Sequence, residues 1–165
     1  MVSCLKRVII LIGASVSWKT YFANWLKKKD CKYYIVSSDE HRKKRTGTYD
    51  NIFKNPVKHF RSLDKDLLKS LEEHDYIILD AVNISRCRRR KIINQLKGKA
   101  EIIGIELRVP ITKCIRQDKS ERRGHTAGVR AIVIIKFFSF FNRSRLEEGF
   151  DILTTRRGYI KSFVL

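Results

Sequence analysis

The stretch from residue 8 to residue 20, Val-Ile-Ile-Leu-Ile-Gly-Ala-Ser-Val-Ser-Trp-Lys-Thr, contains residue types that could bind a phosphate group. A β-branched apolar run ends at Gly13, and a helical pattern begins at Lys19 and Thr20. This is the strand–GxxxxGK(S/T)–helix layout, in which backbone N–H groups at a helix N-terminus surround phosphate oxygens. The expected backbone donors are those of Gly13, Ala14, Ser15 and Ser17.

Two side chains at the end of this loop have defined roles in that layout. Lys19 would reach the β- and γ-phosphates of a nucleotide, and the Thr20 hydroxyl would bind Mg²⁺. Trp18 stands where the pattern has its second glycine. The alternative is therefore a tight strand–helix turn followed by an ordinary surface lysine.

A second polar segment, Ser-Ser-Asp-Glu-His-Arg at residues 37–42, follows the apolar run at residues 33–36. A carboxylate at Asp39 could accept a proton from an attacking hydroxyl. Arg42, one helical turn later, could hold a phosphate through two hydrogen bonds. The alternative is a helix cap, provided by Ser38 or Asp39.

A third polar segment, Asp80 to Asn83, follows the apolar run at residues 76–79. Asp80 could bind Mg²⁺ through water or position an acceptor molecule. Capping or turn formation is the alternative. Because ligands of parallel sheets bind beyond the carboxyl ends of the strands, three polar segments at such ends indicate one common site.

Apolar runs that alternate with helical patterns predict a parallel α/β sheet in one domain, residues 1–165. Four strands are expected at residues 8–12, 33–36, 76–79 and 100–107, with a candidate fifth at 150–153. Helices are expected at residues 19–29, 58–73, 86–97, 110–122 and 129–141, and Ser85 is the expected N-cap of the third. A polar stretch covers residues 37–55.

The formal net charge is +19, from 36 Lys and Arg against 17 Asp and Glu. A charge of this size indicates which partners the protein binds rather than which fold it adopts. A polyanion such as nucleic acid is the favoured partner, because basic surfaces release its counterions. The alternative is an evenly charged, solvated surface. The densest basic cluster comprises Arg86, Arg88, Arg89, Arg90 and Lys91.

Other residue types argue for a cytoplasmic protein without a metal framework. The four cysteines are scattered and show no CxxC spacing. We expect no secretory signal and no membrane span, because the apolar runs are too short. The four histidines share no ligand spacing and are expected at the surface.

The chain resembles the small P-loop kinases related to the kinase domain of phage polynucleotide kinase. The resemblance runs from Val8 to about Leu153 and depends on five segments in order. They are Gly13 with Lys19-Thr20, residues 37–42, residues 80–85 followed by Arg88-Arg89-Arg90, Arg122-Arg123-Gly124, and Leu-Glu-Glu-Gly-Phe-Asp at residues 146–151. It implies a three-layer sandwich with a central parallel sheet of four to five strands and a helical lid.

The resemblance also implies an activity, the transfer of the ATP γ-phosphoryl group to a hydroxyl, most often at a polynucleotide 5′-end. Lys19 and Thr20 match the positions that hold the ATP phosphates and Mg²⁺, and Asp39 matches the general base. Acceptor binding would fall to Ser38, Arg42, Asp80, Asn83 and Arg88. Lid contacts to the phosphates would come from Arg122 and Arg123, with Arg123 as the catalytic arginine.

The loop departs from the family pattern GxxGxGK(S/T) at both later glycines, which are Val16 and Trp18 here. A loop of the usual shape requires a positive φ at Val16, where a β-branched residue is disfavoured. On this reasoning, replacing both residues with glycine tightens ATP binding. Two alternatives follow: a non-catalytic nucleic-acid-binding descendant of a kinase, or a kinase of a nucleoside or another small hydroxyl compound.

Overall fold

A computed structural model describes residues 6–47, 55–120 and 131–157, with a five-stranded parallel sheet at its centre. The strands are β1 (Arg7–Ile12), β2 (Tyr33–Ser37), β3 (Tyr76–Asp80), β4 (Glu101–Arg108) and β5 (Ile152–Arg157). Their order in the sheet is β2-β3-β1-β4-β5. The helices are α1 (Lys19–Lys29), α2 (Ser38–Thr46), α3 (Pro56–Glu73), α4 (Arg86–Leu96), α5 (Ile111–Ser120) and α6 (Ala131–Ser139), and a short 3₁₀ helix covers Leu146–Glu148.

Strand β1 is apolar on both faces because helices cover the sheet from both sides. Val8, Ile10 and Ile12 point into a core with leucines of α3 and isoleucines of α4. Ile9 and Leu11 point to the opposite face, where α1 packs. The three-layer α/β sandwich with parallel strands is therefore confirmed, and the sheet has five strands.

Several local predictions need correction. The polar stretch 37–55 contains helix α2, and its cap is Ser37, whose Oγ accepts from the Glu40 backbone N–H at 3.5 Å, rather than Ser38 or Asp39. Ser85 occupies the N-cap position of α4, but its side chain makes no capping hydrogen bond. The last strand begins at Ile152, two residues later than predicted.

A buried ion pair joins α4 to the segment that leads into β5. Arg89 and Glu148 both have fully buried side chains, with Arg89 Nε and Nη2 each 2.7 Å from a Glu148 carboxylate oxygen. Arg89 Nη1 also donates to the carbonyl groups of Asn83 and Ile84. These carbonyls lie at the end of the β3–α4 connection, so the pair fixes the third polar segment in place.

Removing one partner of this pair leaves an uncompensated buried charge. We expect Glu148→Ala to lower the free energy of unfolding by about 3–5 kcal/mol, measured by denaturant titration. The adjacent and exposed Glu147 is the matched control, and Glu147→Ala should change the free energy by no more than about 0.5 kcal/mol. Equal effects of the two variants would contradict this role of Glu148.

Every helix within the described ranges is too short or too polar to cross a lipid bilayer. The cysteines in those ranges, Cys31, Cys87 and Cys114, are unpaired, and only Cys114 is buried.

Candidate active site

Three polar segments meet at one edge of the sheet because β3 lies between β1 and β2. The register pairs Ile10 with Leu79 and Ser37 with Asp80. The carboxyl ends of all three strands are therefore level, and the chain leaves each strand toward the same crevice. This is the edge at which ligands bind in open parallel sheets.

The loop between β1 and α1 keeps the backbone shape that glycines usually provide. Val16 has φ 61° and Trp18 has φ 58°, so both lie in the left-handed region, as the usual loop shape requires of Val16. Gly13 is needed for a different reason, because a Cβ there would lie 2.6 Å from Ser17 Oγ. The Trp18 carbonyl accepts from Phe22 N at 2.9 Å and so begins helix α1.

Packing offsets the strain of these two left-handed residues. A non-glycine residue in that region costs about 1–3 kcal/mol. Both side chains pack against Val109, Cys114 and Ile134, a buried cluster formed by the end of β4 with α5 and α6. A large aromatic side chain covers 150–250 Å², and even partial burial at about 25 cal/mol per Å² matches the strain.

Lys19 lies over the loop rather than in solvent. It is a buried residue, and its Nζ donates to the Ala14 carbonyl at 2.5 Å and lies 3.2 Å from Ser17 Oγ. The ammonium group therefore stands among the loop atoms that would face a phosphate. This excludes the surface-lysine alternative.

Thr20 and Asp80 come together from two different strand ends, as the Thr20 hydroxyl donates to Asp80 Oδ2 at 2.7 Å. A hydroxyl beside a carboxylate supplies the hard oxygen donors that Mg²⁺ prefers, and this ion usually takes only one or two carboxylates together with phosphates and water. The pair thus fits Mg²⁺. The described residues contain no cluster of three or more His, Cys, Asp or Glu that could hold a metal by itself.

The second polar segment presents an exposed carboxylate held by a buried arginine. Asp39 is 64% exposed in its side chain, and its Oδ1 accepts from Arg42 Nη1 at 2.8 Å. Arg42 is itself buried. The ion pair holds the carboxylate in place and leaves it accessible to solvent.

Ser38, next to Asp39, is buried against His59 of α3, with Ser38 Oγ 3.0 Å from His59 Nε2. The expectation of surface histidines is wrong for His59, which is 5% exposed. Burial, followed by the positive charge of Arg42, lowers the pKa of His59 to about 4. His41 also lies inward and pairs with Asp66 at 2.9 Å.

The depressed pKa of His59 makes stability depend on pH in a defined window. An unfolded histidine binds its proton near pH 6.5, but the folded His59 does so only near pH 4. We therefore expect the contribution of His59 to lower the free energy of unfolding as pH decreases from about 6.5 to about 4, and this contribution to change no further below that. Denaturant titrations across this range measure the effect.

His59→Gln retains a hydrogen-bonding group for Ser38 and removes the titration. This substitution should flatten the dependence of the unfolding free energy on pH between about 4 and 6.5. The control is His74→Gln, which should preserve that dependence. The His74 ring lies at the end of α3 and stacks against Tyr34. An unchanged slope in His59→Gln would refute the assignment to His59.

Two other predicted acceptor residues have protein partners. Arg88 forms an ion pair with the buried Asp64 at 2.5 Å and lies 4.6 Å from the Phe60 ring centre. Asn83 is buried and its amide donates to the Leu11 carbonyl at 2.9 Å, which ties the third polar segment to β1. Arg122 and Arg123, predicted for the lid, lie outside the described residues.

The basic cluster on α4 is not a uniformly solvated face. Arg89 is fully buried and Arg88 is largely buried, whereas Arg90 and Lys91 are exposed. Lys91 also reaches Asp64, at 3.3 Å. Only part of this cluster is therefore available to a nucleic acid.

A buried acid that the sequence did not reveal as important holds the loop before the 3₁₀ helix. Glu106 of β4 is fully buried, and its carboxylate accepts from Arg108 and from the backbone N–H of Ser144 at 2.8 Å. Burial opposes its ionisation, but the hydrogen bonds from Ser144 and Arg108 prevail and lower the pKa of Glu106. A lone glutamate within an apolar strand was the available signal.

Comparisons by sequence give no family: no family model and no curated protein matches this chain. Comparison by structure shows the fold. A chain of the Pnkp1/Rnl/Hen1 RNA repair complex superposes with a TM-score of 0.72 at 17% identity, over 82% of this chain and 44% of that one. APS kinase CysC from Mycobacterium tuberculosis superposes with a TM-score of 0.68 at 14% identity, over 96% of this chain and 93% of that one. A fungal RNA kinase superposes with a TM-score of 0.62 at 17% identity, over 91% of this chain and 38% of that one.

The fold is that of the P-loop kinases. The chain spans less than half of the matched RNA-repair chain and of the fungal RNA kinase, and nearly the full length of the APS kinase. At identities of 14–17% the similarity establishes the fold alone.

Proposed function

We propose that this protein is an ATP-dependent kinase whose acceptor is a hydroxyl group, most specifically the 5′-hydroxyl of a polynucleotide. The observation that carries the proposal is the hydrogen bond between Thr20 and Asp80, at the same sheet edge as Lys19 and the Asp39–Arg42 pair. The candidate phosphate site after β1 and the candidate base after β2 are thus separated by a single strand, β3.

Each side chain has a step that its geometry supports. Backbone N–H groups of the loop and the Lys19 ammonium bind the phosphates, and Asp39 accepts the proton of the attacking hydroxyl. Arg42 orients Asp39. Thr20, with Asp80 behind it, would hold Mg²⁺, which when bound neutralises phosphate charge. The γ-phosphoryl group moves to the acceptor oxygen, and ADP leaves.

The polynucleotide acceptor is supported by charge close to Asp39. Helix α2 begins at the site and ends in three exposed basic residues, Lys43, Lys44 and Arg45. A single strand whose 5′-end reaches Asp39 would meet these charges with its following phosphates. An RNA kinase and a chain from an RNA repair complex have the same fold.

The first experiment measures phosphoryl transfer from labelled ATP to an oligonucleotide with a 5′-hydroxyl. We expect Asp39→Asn to lower kcat by at least about 100-fold, because the hydroxyl loses its base. Glu40→Gln, which also removes one exposed carboxylate from α2, should retain most of the activity. Transfer by the wild type that Asp39→Asn leaves intact would refute the role of Asp39.

The second experiment tests the acceptor class. Replacing Lys43, Lys44 and Arg45 with alanine should raise the KM for an oligonucleotide about tenfold and reduce its dependence on salt, because phosphate contacts are lost. The control replaces Lys27, Lys28 and Lys29 with alanine. These residues form the last turn of α1, just before β2 begins, and so lie toward the opposite edge of the sheet. The control should leave the KM unchanged.

The same assay separates the alternatives. A kinase of a nucleoside or another small hydroxyl compound would phosphorylate that acceptor faster than an oligonucleotide, with no effect of the α2 triple variant. A non-catalytic nucleic-acid-binding protein, the alternative suggested by the loss of glycine at positions 16 and 18, would bind the oligonucleotide in a salt-dependent way without transfer and without stabilisation by Mg-ATP.

A further inference from the structure

Trp18 belongs to two apolar cores at once. Its side chain packs against the core between the sheet and α1, which contains Leu11, Phe22 and Leu107. It also packs against the separate cluster of Val109, Cys114 and Ile134, which α5 and α6 help to form. Within the described ranges, Trp18 therefore connects the core between the sheet and α1 to helices α5 and α6.

The backbone of the same residue determines the shape of the phosphate-binding loop. Trp18 has φ 58°, begins helix α1 through its carbonyl group, and directly precedes Lys19. Without a packed side chain, a non-glycine residue would leave this region of conformational space. The position of the indole ring and the shape of the loop thus depend on each other.

Helix α5 also lies within electrostatic reach of the loop lysine. Burial raises the pKa of the Cys114 thiol to about 11, and the positive charge of Lys19 acts in the opposite direction. The contact between the loop and the α5–α6 cluster is therefore evident in charge as well as in packing.

We propose that Trp18 is a positioning residue that couples the docking of α5 and α6 to the phosphate-binding shape of the loop. The proposal rests on the proposed function for its consequence, the binding of ATP, but its physical basis is the packing itself. Helices α5 and α6 are the elements on either side of residues 121–130 in the chain, which carry Arg122 and Arg123. Because such coupling is reciprocal, a change that favours docking of α5 and α6 also favours the phosphate-binding conformation of the loop. A change that favours this loop conformation likewise favours docking of the two helices.

This coupling reverses the expectation drawn from the sequence. Glycine at position 18 would relieve the backbone strain, but it would also remove the anchor that holds the loop in one conformation. We expect Trp18→Gly to raise the KM for Mg-ATP about tenfold with a smaller effect on kcat, and Trp18→Phe to restore most of the affinity.

The decisive experiment is amide hydrogen exchange of residues 13–20 without nucleotide, in a double-mutant cycle. Ile134→Ala truncates a fully buried side chain of α6, and it should accelerate exchange in the loop about tenfold. In the Trp18→Gly background, where Val16 is the remaining loop contact with this cluster, Ile134→Ala should add much less. Ile134→Val serves as a milder truncation for the same cycle.

The matched control is Leu71→Ala, which truncates a buried residue of α3 in the core on the other face of the sheet. It should lower global stability without a selective effect on the loop. The proposal is overturned if Ile134→Ala affects loop exchange no more than Leu71→Ala, if the two effects in the cycle simply add, or if Trp18→Gly binds ATP more tightly. Exchange is measured without substrate, so a failure of the kinase assay would not alter this result.

Discussion

The position of β1 is the constraint on which the candidate site depends. Its backbone is hydrogen-bonded to β3 on one side and to β4 on the other, and its side chains are buried on both faces. An unpaired buried backbone group costs about 1–3 kcal/mol, so a strand this apolar is stable only in the middle of the sheet. The chain then leaves β1 at a crevice beside the end of β3, which places Thr20 against Asp80.

The loop after β1 shows that a required backbone shape does not require one residue type. Glycine gives access to positive φ through its freedom, but that freedom must be lost on folding. Val16 and Trp18 reach the same region at a cost in strain and are held there by packing against α5 and α6. A loop held in this way depends on the position of those helices.

Charge in this protein is distributed by burial as much as by composition. The net charge of +19 favours a polyanionic partner, yet Arg89 serves the fold through Glu148, and Arg88 is engaged by Asp64. The exposed basic residues of α2 adjoin Asp39, whereas those at the end of α1 lie toward the other edge of the sheet. Position relative to the site, rather than the number of charges, therefore identifies the residues that would meet an acceptor strand.

The sequence by itself determined the parallel α/β architecture, the loop at residues 13–20 and the three polar segments, because these depend on local periodicity and on residues close in the chain. Only the tertiary structure decided which distant groups meet. Examples are Thr20 with Asp80, Ser38 with His59 and Arg89 with Glu148, each separated by more than 20 residues. The role of Trp18 was also decided by the tertiary structure. In the sequence, Trp18 is a departure from the glycine of the loop pattern. In the fold, it packs against Val109, Cys114 and Ile134, which lie some 90 residues or more further along the chain.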